Sequence, residues 1–186
     1  MTASTTAGAL PGYVAGTWTI DPVHSEVGFS VRHMMVSKVR GRFTTFSGEI
    51  VTGEDPLGSS VAAEIDLTSI NTGNDQRDAH LRSADFFETE KHTKMTYRST
   101  GVRAEGDGYV LDGELTLRDI TRNVPLHLEL NGFGPDPYSG TRAGFTATAD
   151  INRSDFDVKF GLAEGGGAVV SDKVTIQLEI EAVLAS

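Results

Sequence analysis

Lys173-Val-Thr-Ile-Gln-Leu-Glu-Ile-Glu-Ala-Val-Leu184 decides the fold class of this chain. Val174, Ile176, Leu178, Ile180, Ala182 and Leu184 fall on every second position, with Lys173, Thr175, Gln177, Glu179 and Glu181 between them. A period of two puts the apolar set on one face of a half-buried strand. Slipping the register by one residue would turn the whole row towards water.

The same pattern recurs upstream. It appears at Phe29-Val31, Val61-Ala63-Ile65-Leu67, Tyr109-Leu111-Gly113-Leu115-Leu117, Val124-Leu126-Leu128-Leu130 and Phe145-Ala147-Ala149-Ile151, and less regularly from Phe43 to Ile50. Gly/Pro-rich turns separate the runs, at Glu54–Gly58, Glu105–Gly108 and Gly134–Gly140. Many short alternating strands joined in this way indicate an antiparallel sandwich or barrel. About eight strands close into a barrel able to hold one ligand. Only Asp75–Ala84 reads as helix, with Asn74 as its N-cap and Asp75 and Asp78 at the positive end of the dipole. The expectation is an all-β fold with a short helical insertion. Ala147, Ala149 and Gly113 stand on apolar rows where a solid core would want bulk. They either leave a cavity or mark close sheet packing.

A length of 186 residues fits one domain, expected over 16–186 behind a loose leader at 1–15. A net charge of −10 argues against nucleic acid, which rewards basic faces, and against electrostatic docking on anionic lipid. With Cys 0 there is no disulfide, thiolate nucleophile or cysteine zinc site. The first Lys or Arg is Arg32 and residues 1–17 lack an apolar h-region, so no signal peptide is expected, and no stretch approaches the ~20 apolar residues that span a bilayer. A soluble cytoplasmic protein without stable membrane insertion is the expectation.

Two polar clusters interrupt the strand pattern. One is Ser69-Ile-Asn-Thr-Gly-Asn-Asp-Gln-Arg-Asp-Ala-His-Leu-Arg-Ser-Ala-Asp-Phe-Phe87, far longer than a hairpin loop of about 2–5 residues. Long connections with this chemistry serve as lids or binding elements. Arg77 and Arg82 either bind an anionic head group or pair with Asp75, Asp78 and Asp85 to shape the insertion. Phe86-Phe87 anchor the insertion to the barrel, and one of the rings can also touch ligand. The other cluster is Trp18-Thr-Ile-Asp-Pro-Val-His-Ser25. Here Trp18 reads as a plug at one barrel end and Asp21-Pro22 as a turn, while His24 is either a head-group contact or structural.

Catalytic patterns are poorly represented. The histidines (His24, His33, His80, His92 and His127) form no HxH, HxxxH or HExxH pair, and no Gly-x-Ser-x-Gly elbow occurs. Gly165-Gly166-Gly167 lacks the Lys-Ser/Thr of a phosphate loop and reads as a flexible hairpin loop. Nothing identifies an enzyme, a metal centre or a cofactor.

At the two clusters the chain resembles the YceI-like family, the lipocalin-like polyisoprenoid-binding proteins. The resemblance rests on Trp18–Ser25, Val27-Gly-Phe-Ser-Val-Arg-His33, Ser69–Asn74, Arg77-Asp78, His80-Leu-Arg-Ser83, Asp85-Phe-Phe87, Gly113-Glu-Leu-Thr-Leu117, Thr121–Val124 and Ile151-Asn-Arg-Ser-Asp-Phe156. It departs at Asp119 and Asn123, where the family tends to have Gly and Pro, and at Asp157, where Gly is usual. The resemblance implies an extended eight-stranded antiparallel lipocalin-like barrel whose channel holds a long-chain isoprenoid.

On that reading the function is non-catalytic binding or carriage of a polyprenyl chain, a prenyl diphosphate or an isoprenoid quinone, and a homodimer fits the family. Phe29, Val31, Phe43, Phe46, Met95, Tyr97, Leu115, Leu117 and Phe145 are the expected apolar lining. Met34 and Met35 add adaptable surface near an opening. His24, His33, Arg77, His80 and Phe86 complete the expected ligand-binding set, with His24 and Arg77 as the candidates for the head group. At about 0.8 kcal/mol per CH2, twenty methylenes give a gross ~16 kcal/mol. That approaches the limit of non-covalent affinity, ~18–21 kcal/mol, so the tail dominates affinity and the head tunes selectivity. Two rivals stay open: an enzyme on a hydrophobic substrate with His24, His33 or His80 as general base, and a structural barrel with a filled interior.

Overall fold

The computed structural model describes residues 10–138, 140–162 and 170–185. The glycine run at 165–167 and the first nine residues of the expected leader lie outside the described residues. Twelve strands and one helix follow in order: β1 (Gly16–Ile20), β2 (Glu26–His33), β3 (Ser37–Phe43), β4 (Phe46–Thr52), β5 (Ser60–Asp66), β6 (Ile70–Asn71), α1 (Asp75–Arg82), β7 (Lys94–Glu105), β8 (Gly108–Leu117), β9 (Ile120–Asn123), β10 (Leu126–Pro135), β11 (Thr141–Asn152) and β12 (Val170–Leu184).

The strands form a closed eight-stranded antiparallel barrel, running β1-β4-β5-β7-β8-β10-β11-β12 and back to β1. Closure comes from Trp18, Thr19 and Ile20 pairing with Leu184, Val183 and Ala182. The remaining strands lengthen this ring. β2 takes over the same edge of β12, with Val31 opposite Val174 and Phe29 opposite Ile176. β3 pairs with β2, and β6 with β3.

Each break between such collinear strands has a local cause. Pro22 interrupts β1 and β2 within Asp21–Ser25, and Pro125, with no N–H to donate, separates β9 from β10 along the edge of β8. A 3-10 turn at Leu67–Ser69 divides β5 from β6. Beyond the Asp66–Lys94 pair, β5 and β7 part company. The chain between them carries α1 across that end of the barrel, with Asn74 capping the helix through a 2.9 Å bond from Arg77 N–H.

Two apolar clusters fill the interior. The larger includes Phe43, Leu67, Ile70, Tyr97, Leu115 and Phe156 towards the α1 end. The smaller, around Trp18, Ile50, Ala143, Phe145 and Ala182, occupies the opposite end. Trp18 is fully buried there, with its indole N–H on Thr52 Oγ1 at 2.8 Å. Phe46, Val61 and Leu128 touch both clusters and form the partition between them.

Candidate functional site: an apolar channel beneath the insertion

The alternating rows of β2, β5, β7, β8 and β12 surround a cavity of about 230 Å3 at the α1 end. Phe29, Val31, Phe43, Phe46, Met95, Tyr97, Leu115 and Leu117 line it, and Phe86 and Phe87 close over it from the insertion. Phe43 links wall and cover, its ring 5.8 Å from Phe29 and 6.0 Å from Phe87.

Burial accounts for the polar side chains in this wall. The Tyr97 hydroxyl donates to the carbonyls of Val124 (2.8 Å) and Leu111 (3.3 Å), and burial pushes its ionisation far above the usual phenol range. Tyr97 also explains Gly113. A Cβ at Gly113 would lie 2.8 Å from Tyr97 Cε1, so the glycine admits the ring and leaves no void. Arg153, only 6% exposed, donates to the carbonyls of Ser171 (3.0 Å), Val158 (3.0 Å) and Val170 (2.9 Å). Desolvation lowers its pKa from the ordinary value. The guanidinium ties the 3-10 turn Arg153–Phe156 to the start of β12.

A polar vestibule adjoins the channel through Phe29, Val31, Leu81, Phe86 and Val170. Its remaining walls include His33, Lys38, Arg40, Arg77 and His80, and among the described residues no carboxylate lines it. His80 Nε2 meets Asp85 Oδ2 at 2.8 Å, and its ring stands edge-on to Phe86 and Phe160. Arg77 holds Thr72 through Oγ1 (2.7 Å) and the carbonyl (2.8 Å), while Arg82 reaches the carbonyls of Thr68 and Ile70. These arginines therefore shape the insertion through Thr72 and backbone carbonyls, without pairing with Asp75, Asp78 or Asp85. Buried Asp78 completes the arrangement by accepting from Thr72 N–H (2.9 Å) and Thr72 Oγ1 (2.5 Å).

Phe145 and His24 lie apart from this channel. Phe145 faces a separate cavity of about 80 Å3 with Tyr13, Thr52, Leu130 and Phe133, beyond the partition. His24 sits on the outside, its Nδ1 2.7 Å from Asp21 Oδ2, and that carboxylate also accepts from Arg142 Nη1 at 2.8 Å. Arg142 and then His24 hold the Asp21 carboxyl far below the usual range, and Asp21 in turn raises the His24 pKa. None of the five histidines lines the channel. Met34 and Met35 point out from the β2–β3 turn and do not contribute to the wall. No group of three or more His, Asp or Glu able to hold a metal occurs among the described residues.

The lining also includes residues outside the expected set: Val27, Ile65, Val174, Ile176, Leu178 and Arg153. The β12 members stand on the row that fixed the strand, and alternation alone does not separate a solid core from a channel wall. Arg153 left no such trace, since nothing in an isolated arginine announces three carbonyl partners.

A YceI-like domain model matches residues 18–182. A UPF0312 protein of Photorhabdus laumondii is 40% identical over 164 residues, covering 84% of this chain and 85% of its own. The protein named YceI from Escherichia coli is 37% identical over 173 residues, covering 91% and 88%. Among solved structures, a polyisoprenoid binding domain from Saccharophagus degradans, implicated in plant cell wall breakdown, superposes with a TM-score of 0.70 at 19% identity, covering 92% of this chain and 100% of that one.

Proposed function

The chain belongs to the YceI-like family, and from that premise we propose that it binds and carries a long-chain isoprenoid in the channel without transforming it. One observation carries the reading. The buried polar side chains of the wall, Tyr97 and Arg153, are spent on backbone carbonyls, so the surface offered to a ligand is hydrocarbon. Such a surface selects for apolar length and gives a reacting group nothing to work with. The Saccharophagus degradans domain, described as polyisoprenoid-binding, supports the reading through the shared fold.

A general base would have to reach substrate inside the channel, and His33 and His80 stop at its vestibule while His24 faces outward. That arrangement favours carriage over the enzyme reading. A volume of about 230 Å3 is less than a full polyprenyl chain occupies, so loading moves side chains such as Met95 and Phe87.

Organic extraction of the protein purified from its native host, followed by mass spectrometry, tests the proposal. One long-chain isoprenoid per protein is the expected result. An empty extract, together with no uptake from a panel of prenyl alcohols and diphosphates, would overturn it.

A further inference from the structure

The geometry points to the β2–β3 hairpin as a docking tip for an anionic bilayer, set beside the channel's vestibule. Three observations converge on it. First, Met34, Met35 and Val36 at the tip are 59%, 73% and 83% exposed. Second, Met34 and Met35 hold φ of 50° and 58°. Hairpin turns place Gly, Asn or Asp in that left-handed region, so neither burial nor backbone preference calls for methionine at either position.

Third, the flanks of the tip carry only positive charge. Residues 27–48 contain Arg32, Lys38, Arg40 and Arg42 and no Asp or Glu, in a chain of net −10. All four basic residues are exposed, and Lys38 and Arg40 also border the vestibule. Arg32 lies directly opposite Lys38, with Arg40 on its diagonal, and none of the four has a carboxylate partner among the described residues. Like charges facing each other across a ladder repel and are destabilising in isolation. An anionic surface relieves that repulsion, and exposed thioether and isopropyl groups enter the headgroup boundary.

The net charge does not forbid this arrangement. Glu54, Asp55, Glu105, Asp107 and Asp136 lie in or beside the turns at the opposite end of the barrel, and of the carboxylates at the hairpin's own end Asp78, Asp85 and Asp172 are engaged by Thr72, His80 and Ser154, leaving Asp75 at the start of α1. At physiological salt, charges more than about 8 Å away are largely screened, so the nearby patch decides. Phe160, 46% exposed and stacked edge-on to His80, extends the apolar rim on the vestibule side.

The docking rests on the carrier reading only for its purpose, the passage of a lipid tail between bilayer and channel without crossing water. The full chain is mixed with vesicles of phosphatidylcholine alone, or containing about one-third phosphatidylglycerol, and bound protein is measured by sedimentation. Binding to the anionic vesicles alone, released by about 0.5 M salt, is expected. Arg32→Gln weakens it about fivefold, and Met35→Asp weakens it further. Equal binding to both vesicle types, no binding to either, or a dimer that Met35→Asp dissolves would overturn the proposal.

Loading of geranylgeraniol, measured without vesicles, separates the two readings. Loading without vesicle binding overturns docking and leaves carriage intact. Vesicle binding without loading sustains docking and overturns carriage. Both variants load normally if the hairpin acts only in docking.

Discussion

Phe29 lies across Gly41, its cross-strand partner on β3, so closely that a Cβ on Gly41 would come within 2.8 Å of Phe29 Cε1. The ring fills the space the glycine leaves and keeps its edge on the channel wall. Gly41→Val drives the ring into the channel. The expected outcome is a folded protein destabilised by about 1–3 kcal/mol, as overpacked interiors are, that binds long prenyl chains at least tenfold more weakly. Calorimetry alongside titration with geranylgeraniol checks both halves.

Ile176 offers a direct test of the channel. It is half-buried, lines the cavity and pairs with Phe29 across the β2–β12 ladder. Ile176→Trp should occupy channel volume and abolish isoprenoid loading while the circular dichroism spectrum stays that of the parent. Undiminished loading by a folded Ile176→Trp protein would place the ligand elsewhere.

Asp21 predicts an acid-sensitive component of stability. Its depressed pKa stabilises the fold at pH values above the ordinary 3.8, a contribution lost as pH falls below that value towards the folded one. Asp21→Asn should cost about 1–2 kcal/mol at pH 7, with the gap to the parent closing under acid. The sign is opposite for His24. Its raised pKa contributes stability below the ordinary 6.5, lost as pH rises through the folded value. In Asp21→Asn the His24 titration, followed by NMR, should move back down towards 6.5.

How much of this was legible in the chain depends on the element. The β12 row and the Asn74 cap were readable because alternation and side-chain capping are local, and each appears in the structure as expected. Strand β7, with its sequence KMTYRSTGVRAE, alternates too weakly to announce itself, and its place is fixed by β5 and β8 on either side. Gly113 is the instructive case for the site. Read alone it allowed either a cavity or close packing, and the answer, Tyr97, stands sixteen residues earlier on the neighbouring strand. Phe145 and Leu115 both alternate inward, yet only the partition of Phe46, Val61 and Leu128 decides which cavity each one faces.

Asp157 supplies a prediction of gain. Its φ of 61° lies in the left-handed region, where glycine is free of the Cβ penalty. Among the described residues its side chain pairs only with exposed Lys159, at 3.3 Å, and the backbone carbonyl that Arg118 grips survives substitution. Asp157→Gly should therefore stabilise the protein by about 0.5–1 kcal/mol, read as a rise in Tm.

Arg153 predicts the reverse. Arg153→Met keeps the bulk of the stem but strands three backbone carbonyls at the channel wall. A loss of about 2–4 kcal/mol is expected, with hydrogen exchange accelerated around Val158 and Val170 before the rest of the barrel.

The partition at Phe46, Val61 and Leu128, with Trp18 packed behind it, makes the channel blind-ended. On the proposed carrier reading, a tail that enters beneath α1 leaves by the same door, so cargo would be exchanged and not passed through. The partition thereby acts as a ruler. On that reading carbons would be counted inward from the vestibule, and a chain longer than the reach to Phe46 and Ile180 would leave its surplus outside, beyond the Phe86-Phe87 cover.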